Sequence, residues 1–290
     1  MRRGPRASTA AAVAIVLAAA VTAGCGGGSS NALSLDPVAA AATKTQQAGA
    51  AQVRFSIALS SPQLRAGKLF RLQGNGVIDG TSGELTFRLG SLGALAGRPG
   101  VPSDASIKEI FLQQDGDYVV YLRLDSLAKH LPGGKHWIKL DVSKLGKAAG
   151  LDLGQLLSGS QLQPGDLLSM LEAEGAKVRT LGSATIDGAA TTHYRVTLDP
   201  AKALEAKGLS NPLLAGVAAQ MPATVPVDVW IGKDGLVHRA RFSFSLARSR
   251  LGMTMDLYDY GTHATITAPS SSDVFDGTAF AQQGIGAGSH

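Results

Sequence analysis

The stretch Val225-Pro-Val-Asp-Val-Trp-Ile-Gly-Lys-Asp-Gly-Leu-Val-His-Arg-Ala-Arg-Phe-Ser-Phe-Ser-Leu246 decides the fold. Val225, Val227, Val229 and Ile231 alternate with Pro226, Asp228, Trp230 and Gly232, and beyond Asp234-Gly235 the alternation resumes at Phe242, Phe244 and Leu246. Successive side chains of a strand point to opposite faces, so a period of two describes strands with one dry face and one wet face. Asp-Gly supplies the positive φ of a tight hairpin turn. The strands are antiparallel, because a parallel sheet covered on both faces would show unbroken Val/Ile/Leu runs.

The same period recurs on both sides of this hairpin. It is present at Phe55-Ile57-Leu59, Leu85-Phe87-Leu89, Tyr118-Val120-Leu122-Leu124, Ile138-Leu140, Tyr194-Val196-Leu198, Met253-Met255-Leu257 and Ala264-Ile266. Further Asp-Gly turns stand at Asp79-Gly80, Asp115-Gly116 and Asp187-Gly188. Gly74-Asn75-Gly76, inside the run from Leu69 to Asp79, predicts a bulge or bend in a strongly curved strand. A helix is expected over Asp36–Ala51, with Asp36 as cap and Pro37 at its first position. Short helices are expected at Asp125–Lys129, Asp141–Lys147 and Asp199–Lys207, each with aspartate at its start and lysine near its negative end. Leucine-rich turns fall at 151–157, 166–174 and 213–221.

About ten amphipathic strands with a few short helices predict an α+β fold, a large curved antiparallel sheet or half-barrel whose concave face the helices cover. A flat β-sandwich is the alternative, and it leaves the leucine stripes of the central helices without a partner. The composition agrees with a packed body: of 290 residues 44% are hydrophobic, 5% aromatic and 17% charged, with a single cysteine. That excludes a disulfide-stapled scaffold and a disordered chain.

Arg2, Arg3 and Arg6 precede an uncharged apolar run from Ala10 to Val21. As a helix these twelve residues span about 18 Å, short of the roughly 30 Å of a bilayer core, so residues 1–24 are expected to be an export signal that is removed. Val21-Thr22-Ala23-Gly24-Cys25 resembles a bacterial lipobox, which implies that Cys25 is lipidated and becomes the first residue. Residues 25–35 then serve as a flexible tether, 36–276 as the folded domain and 277–290 as a disordered tail. Removing the signal takes three arginines and no acid, so the net charge falls from +5 to +2. With no dense Lys/Arg stripe, nucleic acid is a poor partner.

Chemistry leaves little trace. The chain has no Gly-x-Ser-x-Gly, no His-Glu-x-x-His and no phosphate-binding Gly-x-x-x-x-Gly-Lys-Ser/Thr, and one cysteine cannot build a thiolate cluster. No catalytic residue, metal site or cofactor is therefore expected. The six histidines are scattered, and Asp115 and Asp117 flank a turn where such residues are solvated. Trp137 and Trp230 fall opposite the dry positions of their strands, as a docking patch or as residues half-buried under a loop.

Four segments carry a family resemblance. They are Gly116-Asp-Tyr-Val-Val-Tyr-Leu with Lys135-His-Trp-Ile-Lys-Leu-Asp141, Gly188-Ala-Ala-Thr-Thr-His-Tyr-Arg-Val-Thr-Leu-Asp199, Val227-Asp-Val-Trp-Ile-Gly-Lys-Asp-Gly-Leu-Val237, and Tyr258-Asp-Tyr-Gly-Thr-His-Ala-Thr-Ile-Thr-Ala-Pro269. The chain resembles the actinobacterial LppX/LprG-type lipoproteins, related in fold to the LolA/LolB carriers. The resemblance implies a U-shaped sheet around an apolar cavity for the acyl chains of a lipid or lipoglycan.

An apolar concave sheet poor in aromatic side chains is also easily under-filled, and each buried acyl methylene gains about 0.8 kcal/mol without a directional contact. The candidate lining lies on the helical stripes: Leu153, Leu156, Leu157, Leu167, Leu168, Leu171, Leu204, Leu209, Leu213, Leu214 and Val217. The function expected is binding and release of an acylated lipid or lipoglycan, not catalysis. The partners are the membrane, through the lipid on Cys25, and a membrane lipid transporter. The alternatives are an envelope scaffold or sensor with a closed core, and an enzyme whose site is assembled from distant residues.

Overall fold

The computed structural model describes residues 36–61, 70–88, 106–125, 131–148, 177–199, 201–202, 219, 221–246 and 249–287. Twelve strands form one open, curled sheet: β1 (Ala51–Ser60), β2 (Phe70–Asp79), β3 (Ser82–Arg88), β4 (Ser106–Gln114), β5 (Asp117–Leu124), β6 (Trp137–Asp141), β7 (Lys177–Ile186), β8 (Ala189–Leu198), β9 (Val225–Gly232), β10 (Val237–Leu246), β11 (Ser249–Tyr258) and β12 (Val274–Asp276). Their spatial order is β12-β6-β5-β4-β3-β2-β1-β11-β10-β9-β8-β7, and every neighbouring pair is antiparallel except β12 beside β6. Among the described residues three short α-helices accompany them: α1 (Asp36–Gln47), α2 (Val142–Ala148) and α3 (Thr278–Ala287).

The Asp-Gly hairpins stand where the sequence puts them. In Asp115-Gly116 and Asp187-Gly188 both residues have positive φ, the conformation of two-residue turns whose twist matches the strands. The turns β2–β3, β4–β5, β7–β8 and β9–β10 lie at one end of the sheet, together with the three described helices, while β10 and β11 are joined through 247–248 at the other. The long connections 61–69, 89–105, 125–136 and 199–224 join strands at the other end, and the connection after α2 enters β7 there.

The face carrying Ala51, Val53 and Phe55 is the inner one. A Cβ on Gly76, at an inner position of β2, would lie 2.0 Å from the Glu84 carbonyl oxygen, so the backbones of β2 and β3 close toward each other on this side. The register of β2 runs without a shift against both β1 and β3, so Gly74-Asn75-Gly76 makes a bend and not a bulge. The register shifts fall instead in β7, at Thr180/Gly182, and in β10, at Val237/Arg239. On the inner face α1 sets Ala41 and Val38 against Val229 and Ile231, and Lys44 Nζ donates to the Asp234 carbonyl of the hairpin turn at 2.5 Å.

The structure corrects the sequence reading at the outer face, at Ala264-Ile266 and at the C-terminal tail. The sheet is dry on both faces at β4–β6, where the outward Ile110, Leu112, Val119, Tyr121 and Trp137 form a second core under Ile266, Ala268 and Val274. The alternation at Ala264-Ile266 therefore belongs to an irregular segment lying across this outer core, not to a strand. It also buries Trp137, which is 7% exposed, so of the two readings of this residue the one under a loop holds.

The expected tail after Gly277 is the helix α3. Asp276 Oδ1 accepts from the Thr278 backbone N–H, the Thr278 hydroxyl accepts from the Asp141 N–H, and α3 packs on α2. Cys25, the signal, the tether and most of the expected helices at Asp125–Lys129 and Asp199–Lys207 lie outside the described residues, though Asp199 Oδ1 does accept from the N–H groups of Ala201 and Lys202 as a cap should.

α2 follows β6 directly because Asp141 caps it, Oδ1 accepting from the Lys144 N–H at 2.9 Å. The fully buried Ser143 turns its hydroxyl back onto β5, where it accepts from the Tyr118 N–H at 2.9 Å. Ser143→Ala leaves that buried N–H unsatisfied and should cost about 1–3 kcal/mol. Urea denaturation checks this, and a loss below about 0.5 kcal/mol would contradict the role given to the hydroxyl.

Candidate functional site

The candidate site is the inner face itself. Cross-strand pairing sets Phe55 and Ile57 of β1 beside Met255 and Met253 of β11, which continue through Ala240 and Phe242 of β10 to Val229 and Val227 of β9 and Tyr194 and Val196 of β8. In the other direction the inner row passes through Leu85 and Phe87 of β3 and Glu109 and Phe111 of β4 to Val120 and Leu122 of β5 and Leu140 and Ile138 of β6. Of the described inner ladder positions, Glu109 alone carries a charged group.

Aromatic rings close the inner face near the bend. Phe55 covers Gly74, where a Cβ would meet the ring at 2.2 Å, and Phe111 covers Gly83 at 2.3 Å. Phe87 stands against Phe55 with ring centroids 4.7 Å apart. Toward the end of the long connections the inner residues Ile57, Leu59, Phe70, Leu72, Ile107, Leu122 and Leu124 are only half-buried.

Glu109 lies among these half-buried residues. Leu85 and Leu122 flank it across the sheet, and Ile107 and Phe111 along the strand. Lys108 points outward and pairs with Glu84 at 2.6 Å. Desolvation pushes the Glu109 carboxyl up to about 7. Tyr118 is raised as well, first by desolvation and then by the Glu109 charge, so its phenol stays neutral at physiological pH.

The outer face is polar elsewhere. Arg195 forks onto Asp228 at 2.7 and 3.0 Å, and Arg239 onto the buried Asp256 at 2.5 and 2.8 Å. Trp230 is stacked on His193 with centroids 4.1 Å apart, with the Arg239 guanidinium 6.0 Å from its ring. Both tryptophans thus stand on the side opposite the inner row, one buried under a loop and one held between polar neighbours. Among the described residues no three His, Cys, Asp or Glu side chains are grouped to hold a metal, and no helix is long and apolar enough to cross a membrane.

All eleven leucine and valine positions expected to line a cavity, Leu153 to Leu171 and Leu204 to Val217, lie outside the described residues, as does Cys25. They belong to the connections α2–β7 and β8–β9, which are bounded by Lys177, Leu198 and Val225 at one end of three adjacent strands. Glu109 was not visible in the sequence as an inner residue. Ser-Ile-Lys-Glu-Ile-Phe-Leu-Gln-Gln does not alternate, because both faces of β4 are covered.

No family model matches the chain, and no curated protein matches it. Solved structures do align with most of the chain. The lipoprotein LppX of Mycobacterium tuberculosis is 13% identical, with 82% of this chain and 100% of that one covered and a TM-score of 0.42. LprF from Mycobacterium bovis is 14% identical over 83% and 99% of the two chains, with a TM-score of 0.42. An outer membrane lipoprotein-sorting protein domain from Vibrio parahaemolyticus is 10% identical over 80% and 94%, with a TM-score of 0.28. Values this low do not carry those proteins' activities to this chain. LppX and LprF are of the lipoprotein type that its strand ends resemble.

Proposed function

We propose that this chain is an exported lipoprotein of the cell envelope that binds a lipid or lipoglycan by its acyl chains against the inner face and carries it between membranes or partners. The observation that supports this reading most is the inner face: mostly apolar from β8 to β6, with Glu109 its one charged group among the described positions, and half-buried over β1–β5 toward the end of the long connections. A ten-residue strand runs about 33 Å, long enough for an extended acyl chain to lie along it. Each methylene moved out of water adds about 0.8 kcal/mol, so sixteen or so outweigh the cost of association without any polar recognition.

On this reading residues 1–24 direct export, the lipid on Cys25 holds the protein at the outer face of the membrane, and residues 25–35 give it reach. On the same reading the leucines of 149–176 and 203–218 contact the acyl chains. The reaction is binding and release; no bond is broken.

Filling the space separates a carrier from a scaffold with a closed core. Leu204→Trp and Leu213→Trp should each lower the uptake of a fluorescent long-chain acyl probe by about tenfold or more, with the far-ultraviolet spectrum unchanged. Unchanged uptake in both variants would contradict the lining role of this connection.

A further inference from the structure

We propose that Glu109 is a charge filter on the inner face: in its ionised form it turns away lipids with a negatively charged head group, and in its protonated form it admits them, so that loading of anionic lipid depends on pH. The inference rests on the reading of the inner face as a lipid site and names a residue that sets its selectivity.

Three observations carry it. Glu109 is the charged residue of the described inner ladder positions, held between Leu85 and Leu122 of the adjacent strands and between Ile107 and Phe111 of its own. It stands three residues from Ser106, hence about 10 Å inside the half-buried end of the sheet, where the polar end of a lipid would come to rest with its acyl chains on the apolar rows. Its sequence neighbour Lys108 is turned to the outer face and paired there with Glu84, so it does not neutralise the carboxylate.

The described inner positions of β3 and β5, which flank β4, and of β2 and β6 beyond them add a single titratable group, Tyr118, and it stays neutral at physiological pH. Glu109 is thus the described inner group whose charge changes near neutrality, as its carboxyl is raised to about 7 by desolvation. A carboxylate in an apolar lining repels a second negative charge far more strongly than it would in water, because little solvent screens the pair.

The test uses the delipidated full chain and two probes with the same acyl chains, dioleoylglycerol, which is uncharged, and dioleoylphosphatidylglycerol, which keeps one negative charge throughout. Binding of each is measured at about pH 5 and about pH 9, two units either side of the Glu109 titration. For the native protein the preference for the uncharged probe should be about tenfold greater at the higher pH. Glu109→Gln keeps the shape and the hydrogen-bonding capacity of the side chain, and it should make the preference small and independent of pH. A native preference that does not change with pH, or one that Glu109→Gln leaves intact, overturns the filter while leaving lipid binding in place. Failure of the native protein to take up either probe at either pH overturns the lipid site and the filter together.

Discussion

Gly76→Val should leave the chain unable to fold, or lower its stability by more than about 3 kcal/mol. Even the first added carbon falls 2.0 Å from the Glu84 carbonyl oxygen and 2.9 Å from the Leu85 Cα. Both are backbone atoms of β3, so no rotamer change relieves the contact. Room can be made only by opening the angle between β2 and β3. That opening pulls Phe55 and Phe87 apart and loosens the inner core that Val53, Phe55 and Leu257 build with Leu85.

Gly252→Ala in β11 is the control. The nearest atom to its new Cβ is the Ser243 Cβ at 3.6 Å, an ordinary contact, and its φ lies outside the left-handed region. This variant should stay within about 0.5 kcal/mol of the native protein. Urea denaturation of the two variants side by side decides the matter, and comparable stabilities would mean that the bend is not fixed by close backbone approach.

The second large effect concerns Glu109→Leu, which should stabilise the protein at alkaline pH and much less in acid. The folded-state carboxyl titrates near 7, above its unfolded value of 4.5. Between those values the folded chain binds more protons than the unfolded one, so the native protein loses stability as pH rises through this window. Above about pH 7 the full penalty of holding a desolvated carboxylate applies, up to about 3 kcal/mol, and below about pH 4.5 it vanishes. The leucine variant has no such penalty, so its advantage in melting temperature should grow from about pH 4 to about pH 8 and then level off. An advantage of equal size at both ends would show that the introduced leucine acts by packing alone and that Glu109 titrates normally.

Much of the fold was legible because one-sided strands write their exposure into the sequence. The β9–β10 hairpin, β1, β5, β8 and β11 all showed the period of two, and the Asp-Gly turns marked where they reverse. Legibility failed where that physics changes. β4 turns Phe111 to the inner core and Ile110 and Leu112 to the outer one, so its alternation disappears. β7 is an edge strand of mostly polar and small residues interrupted by a register shift at Thr180/Gly182, and it has no apolar stripe to read. Ala264-Ile266 alternated for another reason, since an irregular segment crossing a dry surface also buries every second residue.

The site was legible only as a tendency. Leucine stripes and few aromatics suggested an apolar interior, yet the charged residue within it could be placed only once the β3–β4–β5 register set Glu109 between Leu85 and Leu122. α3 escaped notice because a Gly/Ala/Gln sequence has little amphipathic pattern, and its place is fixed by Asp276, Thr278 and Asp141.

The central claim is that the inner face holds a guest. Native mass spectrometry of the full chain, expressed in a host that processes bacterial lipoproteins and purified from its membranes with a detergent exchanged away before measurement, tests it most directly. The account predicts a mass equal to the chain beginning at an acylated Cys25 plus one non-covalent lipid, which Leu213→Trp loses while the acylated chain mass shifts only by the substitution. A protein that carries no lipid in the native form, and takes none up from vesicles, would contradict it.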